Sequence, residues 1–278
     1  VSARSGGRWG WRALNLYGAL FLAFLYGPLL LILIYSFNSN RINMAIWSGF
    51  TLDWYRSIFG LTTSLDSDAF YVESTDQLLA AVRNSFVVAL FASTIATAIG
   101  TAAALALARY SFRLRNFYQG LLFLPMMMPD IVLGIALLVF FVGVGLRLGI
   151  ATIVIGHCTF LASYVFIVVS ARLAGMDTQL EEASADLGAG PWTTFRRVTL
   201  PQIMPGVIGG FLLAFIISLD DVVITYFIAG VDSQTLPLFV FSMMRRGIKP
   251  EINAIAMLLV VFSFLVAATG LFLRSRRA

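Results

Sequence analysis

The chain is poor in the residues that most chemistry needs. Its single cysteine, Cys158, excludes an intrachain disulfide and a multi-cysteine metal site. Its single histidine, His157, stands next to that cysteine. Two such residues without further partners make no metal or catalytic site, so a packed or hydrogen-bonded histidine is expected. No nucleophile–base–acid set appears, which argues against a membrane enzyme. No G-x-x-x-x-G-K-[ST] sequence is present, so no ATP is bound through a loop of that kind, and no cofactor is expected. Internal repeats and low-complexity tracts are missing too. Charged residues make up only 12% of the 278, too few to clothe a soluble domain of this size.

What remains is apolar. Hydrophobic residues form 59% of the chain and the mean hydropathy is +0.89, so the bilayer must be its solvent. The expectation is an all-α membrane protein folded as a single transmembrane domain over residues 1–278. Six apolar runs are long enough to span, near 14–37, 82–108, 117–146, 150–171, 206–229 and 252–273; a span needs about 20 residues. The first run follows Arg4, Arg8 and Arg12, as a signal peptide would. Its apolar stretch is too long for one, and it ends in Tyr35-Ser36-Phe37-Asn38 without a small-residue cleavage site. It reads as a retained span.

Orientation follows from the arginines. One side carries Arg4, Arg8, Arg12, Arg109, Arg113, Arg115, Arg172, Arg196, Arg197, Arg274, Arg276 and Arg277, most of them hard against span ends. The other carries Arg41, Arg56, Arg83, Arg147, Arg245, Arg246 and Lys249. The positive-inside rule then puts both termini in the cytoplasm. Topology also explains the net charge of +5, so nucleic acid is not an expected partner. The longest external segment, 38–81, holds Trp47, Trp54 and Tyr55, either an interfacial belt or a docking surface.

Between the fourth and fifth runs lies a polar, helix-forming stretch. It reads Glu182-Ala183-Ser184-Ala185-Asp186-Leu187-Gly188, then nine residues, then Val198-Thr199-Leu200-Pro201. Gly188 suits the positive backbone angle that ends a helix, and Pro191 suits a first helical turn. Residues 177–187 and 191–198 thus read as two short helices meeting at a glycine bend. Asp177, Glu181 and Glu182 favour the helix N-terminus, and Arg196 and Arg197 a C-terminus. Such an element is rigid, as a force-transmitting part must be; the plainer alternative is a solvated surface loop.

Three carboxylates fall inside the spans: Asp130, Asp220 and Asp221. An ionised carboxylate at a helix centre costs roughly 2.5–3.5 kcal/mol on insertion scales, so each needs a compensating role. Asp130 follows Pro125-Met126-Met127-Met128-Pro129, whose prolines break a helix where the chain lines a cavity. Counted along straight helices, Asp130 and Asp220 each lie about 20 Å from the cytoplasmic end, which makes one negative, cation-selecting ring. Asp220 and Asp221 diverge by about 100° around a helix, which favours Asp220 for the pathway and Asp221 for a structural pairing. Protonation or an arginine of a neighbouring span is the alternative account of all three. Phe160, Tyr164 and Tyr226 are candidate aromatic faces, or ordinary packing. Gly206-Val207-Ile208-Gly209-Gly210 has the small-residue spacing of close helix contacts.

The 182–201 stretch resembles the conserved cytoplasmic loop of ABC-importer permeases: E-A-A, three residues, Gly, nine residues, Ile, any residue, Leu-Pro. Ser184 replaces the second Ala and Val198 the Ile. Tyr35-Ser36-Phe37-Asn38-Ser39, Met128-Pro129-Asp130-Ile131-Val132, Ser218-Leu219-Asp220-Asp221-Val222-Val223 and Pro250-Glu251-Ile252-Asn253-Ala254 look like the spermidine/putrescine permeases, and within them the second permease of the heterodimeric pair. The resemblance implies a type I ABC-importer permease (MetI-like) fold of six transmembrane helices with a cytoplasmic helix-turn-helix coupling loop. In that loop Glu182 would pair with a basic residue of the ATPase, Gly188 would fit its cleft and Ala183 would pack on it; Glu181, Leu200 and Pro201 complete the coupling set. The implied partners are a homologous second permease, two copies of an ATPase, an extracytoplasmic substrate-binding protein and the lipid bilayer of the bacterial inner membrane. The implied substrate is a polyamine, whose cationic groups spaced carboxylates and aromatic faces complement. Other solutes for the same architecture are an opine, an amine-bearing phosphonate or a metal complex. An ion-coupled secondary transporter is the rival class, and the loop argues against it.

Overall fold

A computed structural model describes residues 8–40, 46–61, 69–177, 179–246, 253–258 and 260–261. The described residues are almost wholly helical or in connections; their isolated β-bridge joins Asn38 to Phe50. In chain order the helices are α1 (Arg8–Tyr35), α2 (Asp53–Ile58), α3 (Ala69–Arg109), α4 (Arg115–Met127), α5 (Asp130–Gly143), α6 (Ile150–Ala174), α7 (Gln179–Asp186), α8 (Pro191–Thr194), α9 (Leu200–Asp220), α10 (Val223–Ile228) and α11 (Leu236–Arg246). The chain divides into two compact units: Val1–Asp76 with Ser242–Ala278, and Gln77–Phe241.

Among the described residues, four helices are long and apolar enough to cross a membrane: Trp11–Tyr35, Gln77–Arg109, Ile150–Ala174 and Pro191–Asp220. A fifth crossing is available if α4 and α5 count together, and these are bent by 106°. One span over 117–146, with its helix broken at the prolines, was the expectation; the two helices meet there at a sharp bend. Pro125 is accommodated inside α4, whereas Pro129 breaks the chain. Proline pushes its predecessor out of the helical region, and Met128 is extended at φ −78°, ψ 138°. The expected run 206–229 is also not one helix. It begins earlier, at Leu200, and stops at Asp220; Asp221 is extended at φ −69°, ψ 127°, and α10 starts anew. The run expected at 252–273 lies mostly outside the described residues, of which 253–258 are helical.

In the unit Gln77–Phe241, α6 is the central helix. Eleven of its residues between Thr152 and Val169 are buried, among them Ile153, Leu161, Val165 and Phe166. It packs against α9, where a Cβ on Gly206 would stand 2.8 Å from Cβ of Arg172. Only a glycine admits that approach, so the small-residue cluster serves helix contact.

In the other unit, α1 buries none of its residues from Trp11 to Tyr35, so lipid or another apolar surface must cover it. Just beyond its end, Asn38 organises the loop. Its Nδ2 donates to the Ile46 carbonyl at 2.8 Å, and its Oδ1 accepts from the amides of Asn40 and Ser48 at 3.1 and 3.0 Å. Trp54 is only 1% exposed, packs on Ala254 and donates its indole N–H to the Asn38 carbonyl at 2.8 Å. Neither the belt nor the docking role expected for Trp54 fits a buried ring. Tyr55 reaches Ser36 Oγ at 2.7 Å.

Candidate functional site

The stretch 177–201 folds as a helix, a glycine bend and a helix. At the end of α7 the Gly188 amide donates to the Ala185 carbonyl at 2.9 Å and the Ala189 amide to the Ser184 carbonyl at 3.1 Å. This double closure needs a left-handed residue, and Gly188 supplies it at φ +79°. Pro191 opens α8, which runs through a π-helical turn, Phe195–Thr199, straight into α9. The second helix was expected to end at Val198. Instead, residues 191–220 form a continuous rod, with Leu200 and Pro201 inside it rather than in a connection.

The bend projects apolar groups that the chain itself leaves uncovered. Leu187 is 89% exposed and Trp192 71%, with Trp192 against Phe195 at a ring separation of 5.5 Å. Close to them in sequence, Glu182, Ala183 and Gly188 are also exposed, while the neighbour of Glu182 is turned elsewhere. That neighbour is Glu181, which was expected to act with Glu182. It pairs with Arg109 at the end of α3 and accepts from the hydroxyl of Thr199. Ser184 Oγ lies 3.0 Å from Thr194 Oγ1, which ties α7 to α8.

The membrane acids separate into two kinds. Asp130 is exposed in the first turn of α5, where the positive end of the helix favours its charge. Asp220 is exposed at the last residue of α9. Both therefore sit at helix breaks. The equal-depth estimate required one straight helix below each acid, and the 106° bend removes that premise for Asp130. Asp221 is turned inward, its side chain 10% exposed. Its Oδ2 accepts from the Thr225 amide at 2.8 Å and the Thr225 hydroxyl at 2.7 Å, and lies 3.2 Å from His157 Nε2. Asp220 and Asp221 diverge because the helix ends between them, not by rotation along it.

His157 is the centre of this buried cluster. It is fully buried, with Nδ1 2.8 Å from Ser218 Oγ and Nε2 3.0 Å from Thr225 Oγ1. The one hydroxyl proton of Thr225 goes to the carboxylate, so Nε2 must carry the proton and donate. A single imidazole thus joins α6 to both sides of the α9–α10 break. Sequence reasoning anticipated a hydrogen-bonded histidine but not these partners, which lie 61 to 68 residues away. Of the candidate aromatics, Phe160 is buried against the His157 ring at 5.5 Å, Tyr164 is half-buried and Tyr226 is exposed.

Membrane-length helices, breaks that carry acids and a helix–bend–helix with an exposed apolar face fit a membrane transport subunit. The chain belongs to the family of binding-protein-dependent transport system inner membrane components, whose model matches residues 78–276. It is 39% identical to the spermidine/putrescine transport system permease protein PotC of Haemophilus influenzae, over 90% of this chain and 91% of that one. It is 40% identical to the putrescine transport system permease protein PotI of Escherichia coli, over 90% and 85%. Among solved structures it is similar in fold to a bacterial ABC transporter involved in the import of the acidic polysaccharide alginate, with a TM-score of 0.69, 15% identity and 97% of each chain covered.

Proposed function

We propose that this chain is the membrane permease subunit of an ATP-driven importer that moves polyamines of the putrescine and spermidine class into the cytoplasm. The observation that carries the reading is its likeness, over nine-tenths of its length, to permeases named for those solutes. The chain has six spans and both termini in the cytoplasm of a bacterial inner membrane. It works with a homologous second permease, two copies of an ATPase and an extracytoplasmic binding protein, and it hydrolyses no ATP itself. Leu187, Trp192, Ala183 and Glu182 around the Gly188 bend form the ATPase-facing surface, and closure of the ATPases displaces the rod 191–220 as one body. Asp130 and Asp220, exposed at helix breaks, face the polycation in the pathway, with Tyr226 beside them; Asp221 holds the break in shape.

The test uses the complete complex in liposomes and its external binding protein. That protein should bind putrescine or spermidine saturably, and the complex should then take up the same solute only with ATP. Binding and uptake of an amine-bearing phosphonate, with none of either polyamine, would overturn the substrate class.

A further inference from the structure

Three segments distant in sequence meet at the Glu181 carboxylate. Arg109 is the last residue of α3, Glu181 stands in the first turn of α7, and Thr199 closes the π-helical turn that leads into α9. Arg109 pairs with Glu181, Thr199 donates to the same carboxylate oxygen, and Arg109 Nη2 donates to Thr199 Oγ1 at 3.1 Å, so the three groups close a triangle. Thr199 is fully buried, and the Glu181 side chain is 17% exposed. Charge and helix polarity agree as well, with a cation at the carbonyl end of α3 and an anion at the amide end of α7.

The rod 191–220 is continuous with the bend through its own backbone. Among the described residues, α3 meets this loop through the side chain of Arg109. We infer that Arg109, Glu181 and Thr199 are positioning residues that fasten the coupling element to the end of α3, so that one displacement of the bend drives α3 and α9 together. This rests on the ATPase-docking role proposed for the loop. The two adjacent glutamates then serve different ends, Glu182 facing outward to the ATPase and Glu181 inward to its own chain. An isolated surface ion pair would contribute little. A triangle that includes a fully buried hydroxyl fixes a geometry instead, and geometry is what transmission requires. A π-helical turn is a frequent point of adjustment within helices. Pinning its last residue prevents the turn from absorbing the thrust.

The experiment compares Glu181→Ala, Glu181→Gln, Arg109→Ala and the reversed pair Glu181→Arg with Arg109→Glu, each in the complete complex in liposomes. Three quantities are read: ATPase retained on the purified complex, ATP hydrolysis, and solute imported per ATP. Both alanine variants should keep the ATPase and hydrolyse ATP, while solute per ATP falls roughly 2- to 30-fold, the span for residues that carry coupling between sites. Glu181→Gln keeps an acceptor oxygen and should fall between them and wild type, and the reversed pair should recover coupling. Unchanged solute per ATP in both alanine variants would overturn the inference. So would loss of the ATPase from Glu181→Ala, which would make Glu181 a docking residue. A wild-type chain that retains no ATPase at all overturns the docking role itself, an outcome distinct from either.

Discussion

Asp220 and Asp221 are neighbours with the same side chain and opposite surroundings. Asp221 accepts from the Thr225 amide and hydroxyl beside a fully buried imidazole, so an amide in its place would set a donor against donors. Asp221→Asn should therefore destabilise the protein by about 1–3 kcal/mol, the cost of buried polar groups left unmatched. Asp220 is exposed at the helix end, and Asp220→Asn should leave stability within about 0.5 kcal/mol of wild type. Its polyamine uptake should fall on the order of ten-fold or more, as expected when a charged hydrogen bond of about 1.5–3 kcal/mol is lost. Thermal melting in detergent and uptake in liposomes read the two effects separately. Near-normal uptake by Asp220→Asn would remove the acid from the pathway, and an unshifted melt for Asp221→Asn would remove it from the buried cluster. The two acids were visible in the sequence as costly residues in apolar runs. A structural pairing was expected for Asp221 as well, but its partners were not legible, because His157, Ser218 and Thr225 come from separate helices and only folding assembles them.

At the scale of elements, two interruptions and one contact govern the bundle. The break at Pro129 is local chemistry, since proline excludes the helical region for Met128 and lacks an amide to bond. The break at Asp221 has no proline, and the Thr225 and Ile224 amides find their acceptors on the Asp221 side chain. The contact is α6 against α9, set by glycine. Gly206→Val should force the helices apart at Arg172 and cost about 1–3 kcal/mol, as overpacking does. A lowered melting temperature with retained helical circular dichroism is expected. A melt equal to wild type would show that the helices meet elsewhere.

At the scale of the whole molecule, the arginine asymmetry and the glycine bend lead to one orientation from different residues. With Cys158→Ala as background, Asp232→Cys should react with an impermeant thiol reagent added outside the cell, and Thr193→Cys should not. Reaction at Thr193→Cys alone would invert the chain and place the bend on the wrong side for an ATPase. The exposed apolar length of α1 belongs to this scale too, since none of its residues from Trp11 to Tyr35 is buried.

The sequence by itself determined the class, the solvent and the position of the helix–bend–helix element. Those follow from composition, run length and local backbone preference, which act over a few residues and are written in order along the chain. Gly188 and Pro191 set the bend for the same reason. The tertiary structure decided what depends on distance in space. It turned Glu181 away from Glu182 toward Arg109, placed Asp221 against His157 and buried Trp54 under Asn38. Each of these is a choice among partners far apart in the chain, and periodicity carries no information about which partner will be near.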